Sequence, residues 1–180
     1  MLVGYVADMS GKARTYRVGT AQPPGVRSCK ADGGAAGAGG EWGDCQALEA
    51  EGGREDRMKA VVSGLVPVAR RFLLAQFLYH LAEAERGNLT FAKSKKKGPV
   101  CSLGVTDHRV LELRFDDQVT AEGVRQATRF YFTEPDVEPD RLLGLHVDWK
   151  RPSEEGKSEQ DLHAIEAATR MDAHYAAGSS

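Results

Sequence analysis

Within residues 109–151 three short segments alternate apolar side chains with charged or polar ones, and this alternation constrains the fold more than any other feature of the chain. Successive side chains of a strand point to opposite faces. Segment 110–115 therefore sends Leu111, Leu113 and Phe115 one way, and Glu112 and Arg114 the other. Segment 128–132 divides Phe130 and Phe132 from Arg129 and Tyr131. Segment 141–150 divides Leu143, Leu145, Val147 and Trp149 from His146, Asp148 and Lys150. The connectors 116–123 and 134–140 are too short for a crossover helix, so antiparallel neighbours are expected. Pairing the three strands gives one apolar face, with Trp149 in the core. The other face gathers cations suited to a phosphodiester.

The flanking segments read as helices. Across 57–86, Val61, Val62 and Leu65 recur at helical spacing, and Pro67 sits where a second helix can begin. Val68, Phe72, Ala75, Leu78 and Leu81 then mark a stripe expected to face the core, with Gly87 as the stop. The reading is a helical hairpin, or one helix bent at Pro67. A last helix is expected from a capping box at Ser158, with Leu162, Ile165 and Ala168 as its buried stripe and its end near Tyr175. Residues 1–56 read as a leader of uncertain fold, and the Gly/Ala-rich run 33–40 as a flexible linker. Its glycines do not make a phosphate loop, because Gly11-Lys12 lacks the spacing. Residues 177–180 read as a disordered tail.

Composition narrows the function. The net charge of −2 gives no general attraction to nucleic acid, so an RNA site has to be a local basic patch. The loop carrying Lys93, Lys95, Lys96 and Lys97 is such a patch, although a charge run also serves as a solvated surface. Cys29, Cys45 and Cys101 have no C-x-x-C spacing and suggest neither a zinc pair nor a disulfide framework. His80, His108 and His163 have no partners at ligand spacing, so neither metal nor cofactor is expected. The N-terminus lacks the pattern of a signal peptide, and Gln76 and His80 interrupt the longest apolar stretch. The expected compartment is the cytoplasm, with no membrane association.

Four motifs in order carry a resemblance. Leu111-Glu112-Leu113-Arg114 resembles an E-L-R strand, 128–132 an R-x-Y-F strand, and 145–151 an L-H-x-F-x-K-K strand; Ala167, Ala168 and Arg170 resemble the last helix of the same family. Residues 57–176 are thus similar to the RelE/HigB toxins, in their phage-derived branch. That resemblance implies an α+β fold: a small twisted antiparallel sheet with an N-terminal helical hairpin and a C-terminal helix. It implies a toxin of a type II toxin–antitoxin system, a metal-independent endoribonuclease that cleaves ribosome-bound mRNA. Its partners would be a cognate helix-turn-helix antitoxin, the ribosome and mRNA.

By the same resemblance, Arg114 and Arg129 would neutralise the scissile phosphate. Lys93, Lys95, Lys96, Lys97 and Lys150 would hold RNA, with Arg151 where a second lysine is usual. Asp172, His174 and Tyr175 are similar to the acid, histidine and aromatic group that some members place near the scissile bond. No counterpart of the family's first strand is evident. Metal-free RNA cleavage needs a base for the 2′-OH, cations for the phosphate and an acid for the leaving oxygen. Arg114 and Arg129 suit the second task, and His174 or Tyr175 would carry the proton, with His146 in reserve. Each residue also has a plain structural reading: Arg114 as a cross-strand ion-pair partner, His146 as a satisfied histidine, Tyr131 as packing. The alternative function is a non-catalytic module of the same fold that binds RNA or a protein.

Overall fold

The computed structural model describes residues 5–7, 13–15, 26–30, 35–91 and 98–177. In chain order its elements are β1 (Tyr5–Ala7), β2 (Ala13–Thr15), β3 (Glu41–Asp44), α1 (Gln46–Ala50), α2 (Gly53–Val61), α3 (Pro67–Glu85), β4 (Val100–Ser102), β5 (Leu111–Val119), β6 (Arg125–Thr133), β7 (Arg141–Lys150) and α4 (Glu154–Ala177). The fold is α+β. Five of the described strands form one sheet in the order β3-β7-β6-β5-β4, and β1 pairs separately with β2.

The three alternating segments form the antiparallel centre of the sheet. The sheet itself is mixed, because β3 joins the edge parallel to β7. This strand comes from the stretch expected to be a leader. The chain between β3 and β7 is long enough to make the crossover that a parallel pair requires. Residues 26–30 and 35–56 are therefore built into the domain. The backbone amides of Arg27 and Ser28, and the Ser28 hydroxyl, donate to the buried Glu134 carboxylate at the end of β6.

The Gly/Ala-rich run is not a linker over residues 37–40. Gly37 N–H donates to the Gly87 carbonyl at 2.8 Å, and Gly39 N–H to the Arg27 carbonyl at 2.8 Å. A Cβ on Gly39 would collide with the Glu85 carbonyl, and one on Gly37 with the Arg27 carbonyl. Gly39 also has φ +67°, in the left-handed region. The glycines let two backbones approach each other at the end of α3.

Pro67 starts α3 and Gly87, at φ +69°, follows its end, as expected. Of the expected stripe Leu81 alone is buried, and the core-facing stripe is otherwise a different one. Leu73, Phe77, Leu81 and Ala84 face the core, while Val68, Phe72, Leu78 and Tyr79 are exposed. Phe77 meets Phe130 and Phe115 edge-on at 5.3 and 6.1 Å between ring centroids. Helix α2 packs against β7 and α1, and α3 against β3 and β5, so these helices lie on separate strands instead of pairing as a hairpin.

Trp42 of β3 is the core tryptophan, packed on Phe130 and Phe132 with its indole N–H donating to the Leu81 carbonyl at 3.0 Å. Trp149, expected in the core, lies at the far end of β7 and is 38% exposed. A bulge explains the rest of β7. Tyr131 pairs with His146 but Phe132 with Gly144, so Leu145 is an extra residue. Face parity flips there, and Leu142 and Leu143 on opposite faces are both fully buried.

Strand β3 is short, and among the described residues no other strand covers the rest of the β7 edge. Side chains cover it. Cys45 Sγ and Arg170 donate to the Leu145 carbonyl at 3.5 and 3.4 Å, and Arg57 Nε to the Val147 carbonyl at 3.2 Å. Unpaired edge carbonyls thus gain donors without a neighbouring strand.

Burial also sets the state of the thiols. It pushes Cys29 and Cys101 up to about 12 and raises Cys45. Thiolate is the alkylating species, so the native protein at pH 8 is expected to stay unmodified by iodoacetamide while three adducts form in denaturant. Intact-mass spectrometry checks this, and rapid native labelling of any of the three would refute it.

Candidate functional site

The face carrying Glu112, Arg114, Arg129, Tyr131, His146, Asp148 and Lys150 is the predicted cationic face, and the strands present it in register. Arg114 lies opposite Arg129 and Arg129 opposite Asp148; Glu112 lies opposite Tyr131 and Tyr131 opposite His146. This face is not open. Helix α4 crosses it, starting where β7 ends and running back along that strand. Ser153 Oγ accepts from Gly156 N–H at 3.2 Å, so the helix is capped a turn earlier than Ser158. Small residues Ala164, Ala167 and Ala168, with Met171 and Tyr175, form its buried stripe, whereas Leu162 and Ile165 are exposed. Alanines let the helix approach closely enough to cover polar groups.

Under α4 the Arg129 charge is matched. Arg129 is 1% exposed and sits 3.3 Å from Glu112 and 2.8 Å from Asp116. Glu112 also accepts from Gln160 Nε2 of α4 at 2.6 Å. Burial pushes the Glu112 carboxyl up, and Arg129, Arg114 and Lys150 act against that shift. Arg114 is half-buried and donates to the Gly98 carbonyl at 2.6 Å. Lys150 is buried, and Arg151 pairs with Glu155 and Glu159 at 3.2 and 3.5 Å. Lys93, Lys95, Lys96 and Lys97 lie outside the described residues.

The candidate proton carriers are elsewhere. Tyr175 is buried and donates to Glu138 at 3.2 Å, beside the start of β7, and His174 stacks edge-on against it at 5.2 Å. Asp172 is held by Arg109 at 2.7 Å. Arg129 is in register with Asp148, near the other end of β7, so about 20 Å of strand separates the two groups. The arginines and the helix-end residues are not brought to one point. His146 lies among the buried groups, and burial pushes it down to about 4, with Arg170 acting the same way and Asp148 against it.

A second cluster was missed in the sequence. His146 and Asp148, two apart on β7, share a face, and α4 lays His163 over them. His146 Nε2 and His163 Nε2 are 3.6 and 4.0 Å from the same oxygen of Asp148, and the imidazoles meet edge-on at 5.5 Å. Tyr131 packs its ring on both histidines. Arg57 reaches Asp148 at 3.3 Å, and Glu51 holds Arg57 and Arg170 at 3.6 and 2.6 Å. His163 thus has ligand-type neighbours after all. The H-x-D alternation on a strand was the available signal, but the third member needed the path of α4.

No described helix is long and apolar enough to cross a membrane. No family model, curated protein or solved structure matches the chain.

Proposed function

We propose that this chain is a non-catalytic protein-binding module, RelE-like in build, and that helix α3 is its binding surface and a second copy of the chain its occupant. The observation that carries this reading is the exposed apolar stripe of α3. Phe72 is 64% and Tyr79 60% exposed. Together with Val68, Ala75 and Ala82 they recur at steps of four and three along the helix. A helix apolar on two sides needs cover for both. Leu73, Phe77, Leu81 and Ala84 already have the sheet.

The stripe is complementary to itself in the antiparallel sense. Two copies of α3 related by a two-fold axis near Phe77 set Phe72 against the partner's Ala82 and Ala75 against the partner's Tyr79, large against small. On one flank Arg71, Leu78 and Glu85 are spaced by seven. The same two-fold brings Arg71 against the partner's Glu85, twice, with Leu78 on its own mate. A parallel pairing would instead set Arg71 against Arg71 and Glu85 against Glu85.

The covered, charge-matched face supports binding over RNA cleavage. Arg129 faces two carboxylates, and the helix-end residues lie far from it. The RelE-like build draws support from the strand before the helices: β3 stands where the family's first strand was missing.

Sedimentation of the full chain tests the proposal. The wild type is expected to be a dimer at about 100 µM and Phe72→Glu a monomer with unchanged circular dichroism. Arg71→Glu should weaken the dimer about tenfold, and Arg71→Glu/Glu85→Arg should restore it. A monomeric wild type, or a double variant no better than the single, overturns the reading. So would growth arrest on induced expression with mRNA cleavage relieved by Arg114→Ala, which is the toxin's signature. Growth arrest reversed by a helix-turn-helix antitoxin would do the same.

A further inference from the structure

We propose that His146, Asp148 and His163 form a binding site for one zinc-class divalent ion, with Nε2 of each histidine and a carboxylate oxygen of Asp148 as ligands. The three ligand atoms all lie within 4.8 Å of one another. The two His–Asp separations, 3.6 and 4.0 Å, are too long for hydrogen bonds. They are close to the separation of about 3.3 Å between donor atoms on a tetrahedral zinc with ligand bonds near 2 Å. Small side-chain movements close the difference.

Other polar atoms of the cluster are short of partners. Nδ1 of His146, Nδ1 of His163 and the hydroxyl of Tyr131 are buried without a hydrogen-bond partner among the described residues. Three orphaned groups side by side are costly in a protein interior. An ion on the Nε2 atoms fixes each imidazole proton on Nδ1 and does not itself partner these three groups. Two imidazoles and one carboxylate favour zinc over magnesium or calcium, which take oxygen ligands. Three protein ligands leave a fourth position on a tetrahedral ion. His163 and Asp148 are each 23% exposed, so the site has access to solvent on their side.

Arg57 is the group that opposes a cation here. It has a second carboxylate, Glu51, at 3.6 Å and the Val147 carbonyl at 3.2 Å, and can leave Asp148 without losing all its partners. The local balance is Asp148, Glu51 and Glu166 against Arg57 and Arg170. A divalent ion is therefore met by more negative than positive groups.

The test uses the full chain, stripped with chelator and titrated with Zn²⁺ by calorimetry and with Co²⁺ by visible absorption. One equivalent should bind, with the d–d bands of a four-coordinate Co²⁺ site and a raised melting temperature. His163→Gln, on the half-exposed face of α4, should weaken binding at least about tenfold with unchanged circular dichroism; Asp148→Asn should do so independently. Arg57→Gln should tighten it, an effect that loss of a structural contact would not produce. His80→Gln should bind as wild type does. Absence of binding to the wild type overturns the proposal, and so does full binding by His163→Gln. Loss of the dimer leaves this outcome unaffected, since the cluster and α3 occupy different faces.

Discussion

Replacing Arg129 with Met is expected to destabilise the domain by about 3–5 kcal/mol, because it strands a carboxylate in the interior. Glu112 is fully buried and Arg129 lies 3.3 Å from it; Asp116, the second partner at 2.8 Å, is nearer the surface. With the guanidinium gone, Glu112 keeps Gln160 and the weak Cys101 thiol as donors. It must then take up a proton or remain charged with only Arg114 and Lys150 to offset its burial. A second substitution, Glu112→Gln, should recover much of the loss, and a double-mutant cycle on urea denaturation measures the coupling. The nuclease reading expects something else. A phosphate-binding arginine on an open face can be removed at little cost to stability, with the loss confined to RNA. A stable Arg129→Met protein would therefore contradict the covered face described above and reopen that reading.

The second large effect is expected at Gly39. Gly39→Val puts a β-branched residue at φ +67° and drives its Cβ into the Glu85 carbonyl at the end of α3. Strain of this kind costs about 1–3 kcal/mol before any collision, and displacing α3 from its seat adds to it. A total near 3 kcal/mol corresponds to a fall of about 6–12 °C in melting temperature for a domain of this size. Gly64→Ala is the comparison. A Cβ there meets nothing within 4 Å, and the variant should melt with the wild type. If Gly39→Val also melted with the wild type, residues 37–40 would be the flexible connection that their composition suggests.

Particular residues explain what the sequence disclosed and what it hid. The three central strands were legible because alternation over five or more residues has one simple reading, and Pro67 and Gly87 marked the bounds of α3. The orientation of α3 was not legible. Leu73, Phe77, Leu81 and Ala84 form one apolar stripe, Val68, Phe72, Ala75 and Tyr79 another, and periodicity ranks neither above the other. The same ambiguity placed Leu162 and Ile165 inward on α4, where alanines were the buried residues. Strand β3 was missed because Glu41-Trp42-Gly43-Asp44 has too few apolar positions to alternate. The bulge at Leu145 was invisible, since a run of adjacent leucines conceals a change of parity.

For the candidate site, the residues of the polar face were identified but not their cover. Glu112 and Asp148 were noted only as neighbours of cations, although each neutralises one. A strand with Arg, His and Lys on one side is compatible with an open anion site and with a buried ion network. Only the path of α4 decides between them. That path also unites His163 with His146 and Asp148, residues of separate elements.

The donors along the free edge of β7 have a consequence for how this molecule can meet others. A bare strand edge is a template: it recruits extended peptides, exchanges strands between copies and seeds fibrils. Here the Leu145 and Val147 carbonyls are occupied by Cys45, Arg170 and Arg57. At the opposite margin β4 spans only Val100–Ser102, and Val100 is bridged by Phe91. Among the described residues, the β7 margin therefore presents two engaged carbonyls in place of a bare template. Along this stretch of β7, recognition is left to side chains, where pairing is selective and finite, and open-ended growth of the sheet from that edge is opposed.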